Sequence, residues 1–305
     1  MPTWLLYSIT VFVWGTSWIA IKYQFGPVAP EISIVYRMAV AGGLTVLYCL
    51  ATRKSLRFRL ADHAWIAFQS IFIFSTNYIL IYYSEVHLPS GLVAICFSTV
   101  TVMNIINGVW IHKTRIRAQS VIAAALGIFG LSLVFWPQLR DVSASHETLI
   151  GLAFGIGATF SASLGMMISV FLRKRAIPVL ESNALGMLYG ALFALLVSLL
   201  LGVTPTLDAR PSYYWALLYL SIPATIVGFA CYLTLIQRIG PDRAAYSSVL
   251  FPIVALAIST FAEDYHWTIW AVLGVMFVLG GNVLMLRKPR AVAGLSGDRP
   301  AKVAP

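Results

Sequence analysis

The sequence predicts an all-α integral membrane protein: ten transmembrane helices as two inverted five-helix repeats. Three observations predict it. The 305 residues are 59% hydrophobic and 10% charged, where soluble domains carry about 25% charged residues. Apolar runs recur along the chain, each near the ~20 residues that cross a bilayer. The stretch from Tyr213 to Leu286 also repeats the layout of Trp65 to Phe135. At an offset of 150 residues, Lys113 meets Glu263, Ala124 meets Gly274 and Gly130 meets Gly280. With one small gap, His87-Leu88-Pro89 lies opposite Ile239-Gly240-Pro241. Side-chain identity is thin. The shared rhythm of breaks, prolines and glycines carries the duplication.

The first five spans are expected near 3–22, 31–51, 64–84, 91–111 and 118–136. The second five are expected near 149–172, 180–202, 214–237, 244–262 and 268–287. The repeats then occupy 1–137 and 148–287, followed by a polar, Gly/Pro-containing tail at 288–305, read as disordered and cytoplasmic. The opening MPTWLLYSITVFVWG has no basic leader and runs straight into the first span, so no cleavable signal peptide is expected.

Charge sets the orientation. With ten spans both termini share a side, and placing them inside puts 17 Lys and Arg in the inside loops and tail. Three (Lys22, Arg140, Arg210) remain outside, and Arg37 lies within a span. Positive residues accumulate on the cytoplasmic side of membrane proteins, which predicts a multi-pass inner-membrane protein with both termini cytoplasmic. The same clustering disposes of a nucleic-acid reading of the +10 net charge, because the basic residues fall in short groups between apolar runs. Five spans per half is an odd number, so the halves face opposite ways. Inverted repeats recur in secondary transporters, with the substrate near the midplane between the halves.

Polar and small residues then mark faces. In span six Gly151, Gly155, Ala158, Ala162 and Gly165 form one smooth face, and span seven carries Gly186 and Gly190. Such faces let helices pack closely in lipid. Span three places Gln69-Ser70, Thr76-Asn77 and Tyr83-Ser84 seven residues apart, a stripe that should face protein or water. Interhelical hydrogen bonding and cavity lining both fit it, with Asn77 deepest. Span eight aligns Ser221, Thr225, Gly228 and Tyr232, and span nine Ser248, Pro252 and Ser259. Pro252 frees a carbonyl in mid-helix, as a hinge or as a packing bend. Trp14 in Trp14-Gly15-Thr16-Ser17-Trp18 fits either a pocket wall or ordinary packing. Arg37 fits either a functional site or a side chain snorkelling to the outer interface.

Other classes find no support. No Asp or Glu lies in the middle of a span, so coupling through a midplane acid is not expected, although Glu85 or His87 at a span end could serve. The sequence holds no HExxH, no GxSxG and no P-loop, which argues against an enzyme and against direct use of ATP. Cys49, Cys96 and Cys231 are isolated within apolar runs and read as packing residues; no metal or cofactor is expected.

The second half carries a resemblance. YLSIPATIVGFACYLTLIQRIGPDRAAYSSVLFPIVALAISTFAED followed by LGVMFVLGGNVLM resembles the EamA-like branch of the drug/metabolite transporter superfamily. The similar positions are Thr225, Gly240, Pro252, Glu263, Gly274 and Gly280, with Trp14, Gly15, Lys22 and Arg37 in the first half. The first half departs where Val102 stands for the proline and Lys113 for the glutamate, which argues against a symmetric bend of spans four and nine. The resemblance implies two inverted repeats, a central cavity and alternating access for small metabolites. The expected activity is export of a small organic metabolite, an amino acid or related compound. An importer or facilitator of a sugar or nucleoside-like solute and a non-transporting membrane partner are the rivals. The expected cavity residues are Trp14, Ser17, Arg37, Asn77, Tyr78, Ser98, Thr101, Thr225, Tyr232, Ser248 and Pro252. The expected partners are a small solute and the lipid bilayer, with no nucleic acid; a homodimer is compatible with the sequence.

Overall fold

A computed structural model describes residues 1–113, 118–140, 142–239 and 247–286. The described residues are helical, with no strand. In chain order they form α1 (Thr3–Lys22), α2 (Pro30–Ala51), α3 (Leu60–His87), α4 (Ser90–His112) and α5 (Ala118–Arg140). The second half gives α6 (Val142–Lys174), α7 (Val179–Leu200), α8 (Pro211–Ile239), α9 (Ser247–Ala262) and α10 (Ile269–Leu286). Eight of these have the length and hydropathy to cross a membrane; α9 and α10 are apolar but shorter by the same measure. The expected tail lies outside the described residues.

Local chemistry sets the helix ends. Pro30 and Pro211 occupy first-turn positions of α2 and α8, where a missing N–H costs nothing. Beyond the C-termini the chain turns left-handed at Arg53, Lys113, Gly202 and Asp264, which stops each helix. Between α7 and α8, Arg210 bonds Asp208 (2.5 Å) and the Phe25 carbonyl (2.7 Å), stapling this loop to the α1–α2 connection. Those hydrogen bonds hold the Asp208 carboxyl below the usual carboxylate range.

Two helices change winding part-way. α3 is π-helical over Ile71–Thr76, and α8 over Leu220–Val227. In α8 the cause is local: Pro223 lacks an N–H and disrupts the ladder. In α3 the Phe72 carbonyl receives Asn77 N–H five residues on and also the Ser161 hydroxyl of α6 at 2.9 Å. α4 breaks at Thr99, where the Ser98 and Thr99 hydroxyls bond back to Ile95 and Cys96 carbonyls. α9 runs through Pro252 without a break. The two helices therefore differ in shape, and the break falls in the one that has Val102 in place of the mid-span proline.

The packing pairs α5 with α10, α2 with α7, and α4 with α9. α3 and α4 also lie on α6, while α8 and α9 lie on α1. The small-residue faces are used for packing. A Cβ on Gly151 would meet Leu88, and one on Gly165 would meet Ile73. A Cβ on Gly190 would lie 2.6 Å from the Phe74 Cβ and 3.0 Å from its carbonyl oxygen. Gly190→Val is therefore expected to lower the melting temperature of detergent-solubilised protein by several degrees. The main core joins Trp18, Ile34, Met38, Phe74, Leu92, Phe251 and Leu256. Outward-facing Phe12, Leu47, Phe129, Leu192 and Met276 form the apolar exterior that lipid covers.

Candidate functional site

The polar centre is built where α2 meets the π-helical segment of α8. Arg37 lies two turns into α2 and is 3% exposed. Its guanidinium rests 4.4 Å over the Tyr78 ring of α3, a cation–π contact that strengthens when water is excluded. Nε and Nη2 donate to the Thr225 hydroxyl at 3.4 and 3.3 Å, while the Ser221 hydroxyl donates to the Arg37 carbonyl at 3.3 Å. Arg37 therefore does not snorkel; α8 covers it. Its Nη1 is buried without a hydrogen-bond partner, and no carboxylate forms an ion pair with it among the described residues.

The winding of α8 prepares this contact. The Thr225 hydroxyl donates to the Leu220 carbonyl five residues back, at 2.8 Å. That leaves its lone pairs facing Arg37 as acceptors. The neighbouring Ala224 carbonyl accepts Trp14 Nε1 at 3.0 Å. Gly228 lies beneath the indole, where a Cβ would be 2.5 Å from Nε1. Tyr232, Phe229 and Phe251 surround the same ring at centroid distances of 5.1, 5.6 and 6.4 Å. The Thr16 and Tyr219 hydroxyls bond across α1 and α8.

The structure thus brings Trp14, Arg37, Tyr78, Thr225 and Tyr232 into one chain of contacts. Asn77 is buried beside Tyr78 in sequence, and its Oδ1 has no hydrogen-bond partner among the described residues. Pro252 is buried in α9, next to Phe251. Ser17 and Ser98 bond carbonyls of their own helices, Trp14 and Ile95. The side chains of Thr101 and Ser248 lie outside the described residues. The span-three stripe divides: Gln69 bonds Ser169 and Ser84 donates to the Gly151 carbonyl, both as ties to α6. Tyr83 turns instead to Glu31 of α2 (2.5 Å).

A second polar group, missed as a unit by sequence reasoning, ties helix ends together at one end of the bundle. Lys22 at the end of α1 pairs with Glu263 after α9 at 3.4 Å. Its ammonium also donates to the Glu85 and Leu88 backbone carbonyls. Glu263 accepts Ser90 N–H (2.9 Å), the Ser90 hydroxyl (2.5 Å) and the Ser259 hydroxyl (2.7 Å). One carboxylate thus ties the ends of α1, α4 and α9. The signals in the sequence were the exchange of Lys113 for Glu263 between the halves and the presence of Lys22 and Glu263 among the family-like positions.

The model of the EamA-like transporter family matches this chain twice, over residues 2–136 and again over 149–287. The chain belongs to the EamA-like transporter family. Among curated relatives, this EamA-like chain is 24% identical to protein PagO of Salmonella typhimurium, over 92% of each chain. It is also 24% identical to a probable amino-acid metabolite efflux pump of Escherichia coli, over 94% of this chain and 97% of that one. A solved crystal structure with 16% identity superposes with a TM-score of 0.65 over 92% of this chain and 94% of the other, a likeness of fold. The EamA-like protein is a multi-pass membrane transporter, not an enzyme. Its handling of small solutes follows from that family.

Proposed function

We propose that the protein is an inner-membrane exporter of a small carboxylate-bearing metabolite, an amino acid or related compound, working by alternating access. In this reading the ten helices are two inverted five-helix repeats at 1–137 and 148–287, with both termini cytoplasmic. Several features support the repeat. Exchanging each helix with the one five places along turns the principal packings into one another: α3 on α6 becomes α8 on α1, and α4 on α6 becomes α9 on α1. The π-helical segments begin at Ile71 and Leu220, and left-handed turns at Arg53 and Lys113 correspond to Gly202 and Asp264. These backbone features recur where side chains do not.

The observation that carries the substrate class is Arg37. A buried guanidinium with one open donor and no carboxylate partner among the described residues suits a ligand carboxylate, because an unpaired buried charge is costly until a counter-charge arrives. The aromatic wall of Trp14, Phe229, Tyr232 and Phe251 beside it suits a partly apolar body. The name of the Escherichia coli relative points the same way.

The test is an untargeted comparison of metabolites in medium and cells, with the gene deleted and overexpressed. A carboxylate compound should accumulate inside on deletion and leave faster on overexpression. Depletion from the medium on overexpression would make the protein an importer. In the same assay Asn77→Leu is expected to lower flux several-fold at unchanged protein level, because the amide would no longer face the cargo. Unchanged flux would remove Asn77 from the site.

A further inference from the structure

The end tied by Lys22 and Glu263 holds a carboxyl group that no contact explains. Glu85, in the last turn of α3, is 0% exposed, and neither carboxyl oxygen has a hydrogen-bond partner among the described residues. Lys22, Arg37 and Glu263 act on it electrostatically, and other titratable residues lie on the elements nearby. Lys22 ends α1; Glu31 and Arg37 lie on α2; Tyr82 and Tyr83 precede it on α3; Glu263 follows α9. Gln24, after α1, accepts the Tyr82 hydroxyl on Oε1 at 2.5 Å. His87, two residues further along α3, is engaged by Glu147 of α6 at 2.5 Å. Lys22 touches the Glu85 backbone carbonyl, yet its ion pair is with Glu263.

An ionised carboxylate deprived of both water and donors is strongly disfavoured, and a neutral carboxyl is not. Glu263 needs its charge, because it accepts three hydrogen bonds and an ion pair from groups on three helix ends. The two acids therefore divide the work: one takes the cation, the other takes a proton. We propose that Glu85 is a proton-binding site whose occupancy holds this end of the transporter closed, with Lys22 and Glu263 as the clasp. When the end opens, water reaches Glu85, its O–H bond breaks and the proton passes to that water. The resulting carboxylate competes with Glu263 for Lys22, which favours the open form. Closing reverses the transfer and takes one proton from the outer aqueous phase. The proposal rests on the alternating-access reading above.

The test reads the distance between the ends of α1 and α9. Tyr23 and His266 are both exposed. Spin labels at Tyr23→Cys and His266→Cys, with Cys49, Cys96 and Cys231 changed to alanine, would be followed in lipid nanodiscs from pH 5 to 9. The ratio of long to short distances should rise with pH, by up to about tenfold per unit for one linked proton. Glu85→Gln should stay short at every pH, and Glu263→Gln should be long at every pH. A flat profile in the otherwise unchanged protein overturns the proposal even if the Glu85→Gln variant fails to fold, and so does a pH response that survives Glu85→Gln. Should Glu263→Gln also leave the distance short, opening at this end is itself refuted, and alternating access with it.

Discussion

Gly274→Leu is expected to eliminate folded protein from the membrane. A Cβ at Gly274 would lie 2.5 Å from the Gly130 carbonyl oxygen and 2.7 Å from the Val134 nitrogen. The contact is mutual, since a Cβ at Gly130 would be 2.6 Å from the Gly274 carbonyl oxygen. Overpacking a core usually costs about 1–3 kcal/mol when side chains can give way. Here the obstruction is backbone on both sides, so the whole of α10 would have to move off α5. That seam is the principal packing of both helices, and lipid offers no hydrophobic drive to restore it. Gly280→Leu is the control, because a Cβ there meets nothing within 4 Å. Size-exclusion profiles of fluorescent fusions should show a monodisperse peak for Gly280→Leu and aggregate or no peak for Gly274→Leu. Equal peaks would refute the seam.

Replacing Arg37 by Met should leave the protein folded and reduce solute flux by about 10- to 100-fold. Hydrogen bonds to charged groups contribute about 1.5–3 kcal/mol, and ~1.4 kcal/mol corresponds to tenfold. Met keeps an unbranched apolar stem at this position but removes the guanidinium over Tyr78, the open Nη1 and both donors to Thr225. Arg37→Lys should recover only part of the loss, since an ammonium lacks the planar fork that serves Thr225 and a ligand together. Flux of the cargo found in the metabolite comparison, normalised to protein level, reads the effect. Full flux in Arg37→Met would exclude Arg37 from cargo binding.

What was legible in the sequence follows from range. Span positions come from contiguous hydropathy, and α1 falls on the expected 3–22. α3 extends past the expected 64–84 at both ends because its polar termini find partners on distant helices: Asp62 binds Arg175 (2.7 Å), and the end near Glu85 lies under Lys22. The aligned face of Ser221, Thr225, Gly228 and Tyr232 was readable, since the residues share one helix; what they face was not. Both fates proposed for Arg37 suit α2 alone. Only the approach of α8, with residues 184 and 188 positions away, excludes the snorkelling one. Proline announces the altered winding of α8, but IFIFST gives no such sign in α3, where a hydroxyl from α6 captures the Phe72 carbonyl.

The π-helical segments have a consequence for how the helices tolerate change. Each holds more residues per turn than the flanking α-helix, so it sets the rotational phase of everything beyond it. Deleting one residue from Ile71–Thr76 would let that turn rewind as α-helix and leave Tyr78, Tyr82 and Glu85 in nearly the same phase relative to Gln69. Deleting one residue from the flanking α-helix would instead rotate them by about 100°. After that second deletion the N-terminal half of α3 would keep its seat on α7 while the C-terminal half lost its register against α2. The segment acts as a phase adjuster: it lets one continuous rod serve two unrelated surfaces, one seated on α7 and the other carrying Tyr78 to Arg37 of α2.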